Sequence, residues 1–176
     1  LRLMFAFNVE EAERAFRAAV EIDPTCAMCH WGVAMALGPH INFPATPERT
    51  VAAAAAAAEG LRRAESATPV ERALIQAVSR RYSDPAPATP EAQAALDQAY
   101  AAAMRAAAKA FPGDADVAYL AAEALLNLHP WDLYTTDGEH ALQQVHAAGI
   151  RLESALVRRS TLEDVFLRLT GRGLVE

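Results

Sequence analysis

The chain has 176 residues, is 53% hydrophobic and carries a formal net charge of −6 at pH 7. This length is sufficient for one domain with its own core. The 16 lysine and arginine residues form no basic patch, so we expect no nucleic-acid partner. No apolar run approaches the roughly 20 residues that cross a bilayer, and no signal-peptide pattern opens the chain, so we expect no membrane span and a cytoplasmic location. The chain begins at Leu1 within a helical pattern, as a truncated protein would, which leaves export open.

The first elements in the chain are two predicted helices joined at Asp23-Pro24. Between Val9 and Ile22, apolar residues recur at three- and four-residue intervals opposite a charged face, which predicts an amphipathic helix. Asp23 is expected to cap the next helix, and Pro24 to occupy its first position. In that second helix Gly32 has no side chain to pack, which predicts the close approach of a neighbouring helix.

Three later helices share one start signal. A Thr-Pro pair begins each of them, at positions 46, 68 and 89, with a glutamate in the first turn. The threonine can cap, the proline fits the first turn, and the carboxylate favours the positive end of the helix. The signals predict helices near 47–65, 69–82 and 90–110. With a further helix after Asp114 and the end of one before Asn8, the chain is predicted to be all-α, with about seven helices in antiparallel pairs.

Several residues match the pattern of small and aromatic side chains in a tetratricopeptide repeat. The match to the second helix of the repeat consists of Ala12, Phe16, Ala19 and Pro24. Trp31-Gly32 matches the Leu-Gly pair of the following first helix. The arrangement therefore resembles this repeat, whose period is about 34 residues. The resemblance implies that residues 1–138 form a short right-handed array of helix pairs.

The segments AFNVEEA, DPTCAMCHWG and GPHINFP resemble more narrowly a family of bacterial tetratricopeptide proteins of unassigned chemistry. Members of this family usually carry histidine where this chain has Val9, and asparagine where it has His40. The resemblance implies a fold and a function as a protein- or peptide-binding scaffold without catalytic activity. It also implies a concave groove, whose expected lining residues are Cys26, Cys29, Val33 and Ala36. Array ends without capping helices would expose apolar surface and favour self-association.

From about residue 139 the sequence changes character. Loose alternation around 150–157 predicts a strand, and Ser160 with Glu163 forms a capping box before a short helix. The run TLEDVFLRLTGR resembles the C-terminal end of ATP-binding-cassette (ABC) transporter ATPases. Residues 139–176 are therefore predicted to form a small βα tail. No G-x-x-x-x-G-K-[ST] loop occurs in the chain, so the tail is not expected to hydrolyse ATP.

The sequence Cys26-Ala-Met-Cys29-His30 is a C-x-x-C-H motif, the pattern that attaches haem c. The two cysteines would form thioether bonds, His30 would ligate the iron, and His40, His129 or a methionine could supply the second axial ligand. Alternatively, the residues form a redox dithiol or part of a zinc site, although two cysteines and one histidine are one ligand short of a closed zinc site. A third interpretation is a pair of buried thiols without chemistry, so no cofactor is expected, with haem c or a metal ion as the alternative.

Overall fold

Seven α-helices account for most of the described chain in this computed structural model, which describes residues 1–42, 44–87 and 89–129 together with the single residues 147 and 149. The helices are α1 (Arg2–Phe5), α2 (Val9–Ile22), α3 (Ala27–Leu37), α4 (Pro47–Arg62), α5 (Pro69–Ser79), α6 (Pro90–Ala110) and α7 (Ala115–Leu126). A 3₁₀ turn at Ala64–Ser66 follows α4. These residues contain no β-strand, which confirms the all-α prediction for the part that is described. The predicted βα tail lies outside it.

The predicted Thr-Pro starts of α4, α5 and α6 are confirmed. In each helix the threonine hydroxyl accepts a hydrogen bond from the backbone N–H three residues later. At Thr68 the Glu71 carboxylate also accepts from the threonine N–H, which completes a capping box. Helix α6 has the predicted bounds, whereas α4 and α5 each end three residues earlier than predicted.

The predicted start of α3 is wrong in detail. Asp23 does not cap this helix, because its carboxylate accepts instead from the Thr25 N–H at 2.9 Å and the Thr25 hydroxyl at 2.6 Å. Short polar side chains often form such local bonds in place of helical ones. The helix therefore begins at Ala27, and the capping residue is Cys26, whose Sγ accepts from the Cys29 N–H.

Helix α3 lies at the centre of the described fold, and it packs against α2, α4 and α5. Residues 31–37 are all buried, so the helix is covered on nearly all sides and not along one stripe. A Cβ on Gly32 would lie 2.2 Å from the Phe16 ring of α2, and one on Gly60 of α4 would lie 3.2 Å from the Ala27 carbonyl oxygen. The close approach predicted at Gly32 is therefore confirmed, and Gly60 provides a second one.

The C-terminal end of α3 receives donors from three other segments. The Tyr82 hydroxyl donates to the Ala34 carbonyl at 2.9 Å. Arg49 of α4 donates to the Ala36 carbonyl at 2.8 Å and to the Leu37 carbonyl at 3.3 Å. The Met35 carbonyl, the remaining one of the last four, accepts from the Gly38 backbone N–H. Because the last four carbonyls of a helix have no partner within it, these bonds fix the end of α3 to α4 and to the segment after α5.

The first and last described helices also meet. The Phe5 ring of α1 lies against the Tyr119 ring of α7, with 4.3 Å between ring centroids. Consecutive helices pack on each other from α1 to α7. The contact between α1 and α7 therefore brings the two ends of this series together.

Candidate functional site

A cavity of about 390 Å³ lies beneath the loop that follows α3. Its walls are residues 39–42, 44 and 45 of that loop, the segment after α5, the first turns of α6 and the end of α7. Arg81 lines this cavity, which we call the Arg81 pocket. The other polar lining residues are His40, Asn42, Thr50, Gln93, Asp97 and Asn127, and the remaining wall includes prolines 39 and 44, Ile41 and Tyr82. A mostly apolar hollow with a few convergent polar groups is typical of a ligand site.

Arg81 is the feature that distinguishes this pocket from ordinary surface. Its side chain is only 4% exposed, although arginine is almost never fully buried without a partner. Its Nε donates to the Asp97 carboxylate at 3.1 Å, and its guanidinium carbon lies 4.9 Å from the centre of the Tyr100 ring. The terminal nitrogens Nη1 and Nη2 form no hydrogen bond to any residue that the structure describes. The buried cation therefore retains donor capacity at the pocket wall.

Asp97 holds the guanidinium from one side only. The oxygen that accepts from Arg81 also accepts from the Gln93 side-chain amide at 3.3 Å. Asp97 and Gln93 are one turn apart on α6, so the two polar groups meet on the same helix face. Asp97 thus balances the charge of Arg81 through one carboxylate oxygen bound to Nε. The Nη atoms of Arg81 are not part of this bond.

The Asn127 carboxamide is the second unusual group. Both of its polar atoms are buried, and neither has a hydrogen-bond partner in the described part of the chain. The Asn127 amide faces the Glu123 carboxyl as a side-chain hydrogen-bond donor that lowers the pKa of Glu123, but the two groups do not meet the strict geometry of a hydrogen bond. Because an unpaired buried amide costs about 1–3 kcal/mol, its presence at a pocket wall calls for an explanation.

Glu123 stands one turn before Asn127 on α7. Burial raises the pKa of its carboxyl above the ordinary 4.5, and the positive charge of Arg81 offsets this only in part. The folded state therefore binds this proton more tightly than the unfolded chain does. The contribution of the Glu123 carboxyl to the free energy of unfolding is therefore most favourable below its ordinary pKa. The carboxyl destabilises the fold as the pH rises through the raised pKa.

We therefore expect the Glu123→Gln variant to be more stable than the parent at pH 7, and to lose less stability between about pH 4 and pH 7. The physical reason is that glutamine never carries the desolvated negative charge. Urea denaturation at several pH values measures the effect. The exposed Glu65→Gln is the control and should leave the pH profile unchanged; an unchanged profile for Glu123→Gln would contradict the assignment.

His40 lines the same pocket from the loop side. Its Nδ1 accepts from the Asn42 N–H at 3.3 Å. Burial lowers the pKa of the imidazole, the Glu10 charge raises it, and the charges of Arg49 and Arg81 lower it further. The net shift is downward, so the ring is neutral at pH 7 and its Nε2 carries the proton.

The C-x-x-C-H motif lies at the other end of α3. Cys26 and Cys29 are joined by a disulfide across the first turn, and their Cα atoms are 5.3 Å apart. The His30 ring is 3.1 Å from the Pro24 carbonyl oxygen through Nε2. The 11 residues of α3 extend over about 16 Å, so His40 lies at the opposite end from these three residues. The structure therefore does not bring His40 together with His30 as a pair of axial ligands.

The four residues of the predicted groove have different surroundings. Val33 lies in a shallow hollow of about 430 Å³ between α2 and α4, together with His30 and a rim of charged residues. Ala36 is buried beneath Arg49. Cys26 and Cys29 are half-buried at the start of α3 and do not line this hollow. Of the predicted set, Val33 therefore lines this hollow, and the other three residues do not.

The sequence analysis missed the residues of the Arg81 pocket, although a signal for them exists. Arg81 continues the buried stripe of α5, three and seven residues after Val78 and Leu74. Asp97 precedes the buried Tyr100 and Met104 of α6 by three and seven residues. A charged residue in register with a core stripe predicts a buried ion pair.

Two further findings concern membranes and metals. In residues 1–129, apart from the two undescribed positions, no helix combines the length and apolarity that a bilayer crossing needs. Within the same described part, histidine, cysteine, aspartate and glutamate side chains form no group of three that could hold a metal ion.

Comparison with known proteins gives one match. Residues 131–171 match the family model described as the C-terminal domain of the nodulation factor export protein NodI. No curated protein and no solved structure matches the chain significantly. The match agrees with the resemblance of the predicted tail to the end of an ABC transporter ATPase, and it covers well under half of the 176 residues. The C-terminal part of the chain is therefore similar to the C-terminal domain of an export protein.

Proposed function

We propose that the helical part of this protein is a non-catalytic binding module for a protein or peptide, and that the Arg81 pocket receives part of that partner. The observation that carries the proposal is the buried guanidinium of Arg81, which lines the pocket with two nitrogens that bond to no described residue. Buried polar groups are almost always paired in folded proteins, and both carboxamide atoms of Asn127 are buried at the wall of the same pocket without a described partner, so the pocket is arranged for a ligand.

The chemistry of the pocket favours a carboxylate. A guanidinium fork matches the two oxygens of a carboxylate, and such bidentate bonds are among the strongest in proteins. Asn127 offers one acceptor and two donors, which suits the backbone amide of a peptide. The prolines, Ile41 and Tyr82 supply apolar contact around these groups. A peptide C-terminus, or an acidic side chain on an extended segment, combines these features.

The arrangement of helices supports the broader proposal of a tetratricopeptide-like scaffold. Each helix packs on its neighbours in sequence, and α3 also packs on α5, as first helices do in stacked repeats. Self-association belongs to the same proposal. Leu1 and Phe7, at the start of the chain, are exposed large apolar residues that a second copy could cover. The βα tail, with its similarity to an export protein, belongs to the proposal as an appended segment.

Titration of the ¹⁵N-labelled protein with N-acetyl-leucine, and separately with N-acetyl-leucinamide, tests the pocket. We expect the free acid to shift the side-chain NMR signals of Arg81 and Asn127, and the amide to shift them much less, because only the acid offers a carboxylate to the guanidinium. The Arg81→Met variant should lose the response, whereas the exposed neighbour Arg80→Met should keep it. Equal responses to the two probes would overturn the proposal.

The Asn127→Leu variant tests the same site without removing a charge. It is expected to increase the free energy of unfolding by about 1–3 kcal/mol, because it removes an unpaired buried amide. It is also expected to weaken binding of N-acetyl-leucine about three- to tenfold, since the hydrogen bonds to the probe are lost. Urea denaturation and the NMR titration measure the two effects. Higher stability with unchanged binding would show that Asn127 does not contact the probe.

A second proposal keeps the C-x-x-C-H motif as a haem- or metal-binding redox site. Cys26 and Cys29 would attach the haem by thioether bonds or bind a metal ion, and His30 would be a ligand, although in the disulfide form these three residues do not form a group that could hold a metal ion. The motif is intact at the start of α3, and the structure places all three residues within one turn. Both cysteines would first have to be reduced, since they are joined to each other. Pyridine haemochrome absorbance and metal analysis of the reduced protein test this alternative.

A further inference from the structure

The disulfide between Cys26 and Cys29 occupies a position suited to thiol–disulfide exchange. It spans the first turn of α3, at the end opposite the Arg81 pocket, and both cysteines are half-exposed. The residues of the preceding turn, 23–25, are exposed. An attacking sulfur can therefore reach the pair from solvent, which a fully buried cross-link would prevent.

The cap of α3 explains why one of these sulfurs would be reactive after reduction. Cys26 is the capping residue, and its Sγ accepts from the Cys29 N–H at 3.1 Å. A thiolate on Cys26 would keep this hydrogen bond and would lie at the positive end of α3. This backbone donor and the positive end of the helix favour nucleophilic attack by the Cys26 sulfur.

Charged groups of the neighbouring turn modify this effect. The Asp23 carboxylate, which opposes a nearby thiolate, is already held by the two donors of Thr25. On the other side the Pro24 carbonyl accepts from Arg63 Nε at 2.7 Å and lies against the His30 ring. Arg63 belongs to the end of α4, so a cation from a second element stands beside the turn that holds Cys26.

The surface beside the disulfide also suits a polypeptide. Ile22, the last residue of α2, is 87% exposed, the highest exposure among the large apolar residues of the described chain. It stands four residues before Cys26, next to the exposed turn. An apolar side chain beside a reactive sulfur gives an extended substrate segment a place to pack.

We propose that Cys26 and Cys29 form a redox-active pair that exchanges with disulfides of polypeptides. A small dithiol first reduces the Cys26–Cys29 disulfide and is itself oxidised to a disulfide. The Cys26 thiolate then attacks one sulfur of the substrate disulfide, forms a mixed disulfide and releases the other substrate sulfur as a thiolate, which takes a proton. The Cys29 thiol then loses its proton and attacks Cys26 Sγ, which releases the first substrate sulfur as a thiol. The pair is oxidised to the Cys26–Cys29 disulfide, and the substrate disulfide is reduced to two thiols.

The reduction of insulin disulfides by dithiothreitol, with and without the full-length protein, tests this activity. We expect at least a tenfold acceleration, loss of the effect in Cys26→Ser, and a trapped mixed disulfide in Cys29→Ser that mass spectrometry detects. The exposed Arg105→Met is the control and should retain full activity. The N-acetyl-leucine titration of the same proteins reports on the binding proposal separately. Should the serine variants fail to fold, the parent protein alone decides the question. No acceleration, together with a disulfide that stays intact in a glutathione buffer, would show a purely structural cross-link.

Discussion

The Asp97→Ala variant is expected to lose about 3–5 kcal/mol of unfolding free energy, because it leaves the buried Arg81 cation without its carboxylate. The Arg81 side chain is 4% exposed and that of Asp97 is 22% exposed, so water cannot replace the lost partner fully. The Tyr100 ring offers only a partial substitute. Urea denaturation followed by circular dichroism measures the loss.

Two controls separate this effect from a general loss of charge. The Arg14→Ala variant breaks the exposed pair with Glu11, and it should have a much smaller effect, because water replaces an exposed partner readily. The double variant Arg81→Met with Asp97→Leu should recover most of the stability, because apolar side chains can replace a buried ion pair with little net cost. A small loss in Asp97→Ala, comparable with that of Arg14→Ala, would mean that solvent reaches Arg81 and that the pocket is not closed around it.

The Trp31→Ala variant is expected to lose about 3–5 kcal/mol of unfolding free energy, the range for removing a buried large aromatic side chain. Trp31 is 2% exposed, on the helix that packs against α2, α4 and α5. Gly60 of α4 approaches the same turn of α3 closely, so its backbone leaves little room to shift into the space. The resulting cavity therefore remains largely open. Denaturant unfolding with the same m-value for both proteins measures the loss directly.

The matched control is Leu61→Ala on α4. Leu61 is 45% exposed and lies one residue after Gly60, so its truncation should change stability by less than about 0.5 kcal/mol. If Trp31→Ala and Leu61→Ala had similar effects, α3 would not be the centre of the core.

The sequence predicted where helices begin better than it predicted what packs around them, and the capping residues show why. The Thr68 side chain accepts from the Glu71 backbone N–H, and the Glu71 side chain accepts from the Thr68 backbone N–H. Because both bonds are local, the four residues 68–71 are sufficient to predict the start of α5. Asp23 was predicted to cap α3 by the same reasoning, but its carboxylate accepts from the Thr25 N–H and hydroxyl, which are equally local donors. Two local alternatives with similar energies cannot be ranked from the order of residues alone.

The pair Arg80 and Arg81 illustrates what a sequence cannot rank. The two arginines are adjacent, yet Arg80 is exposed and Arg81 is among the most buried residues of the described fold. Their difference depends on Asp97, which lies 16 residues further on and on another helix. The stripe register of Arg81 suggested burial, but only the packing of α5 against α6 supplies the carboxylate that makes burial tolerable.

By itself, the sequence determined the all-helical class and the three Thr-Pro helix starts, because both follow from local propensity and from capping bonds within a few residues. It also predicted the close approach at Gly32, because a glycine inside a helix leaves room for a neighbouring helix. Only the tertiary structure decided that α3 is covered on nearly all sides, that Arg81 and Asn127 meet in one pocket, and that the cysteines lie at the opposite end of α3. These outcomes depend on contacts between helices that are distant in the chain. Their energies arise from burial and from the pairing of polar groups, and neither exists until the helices have packed.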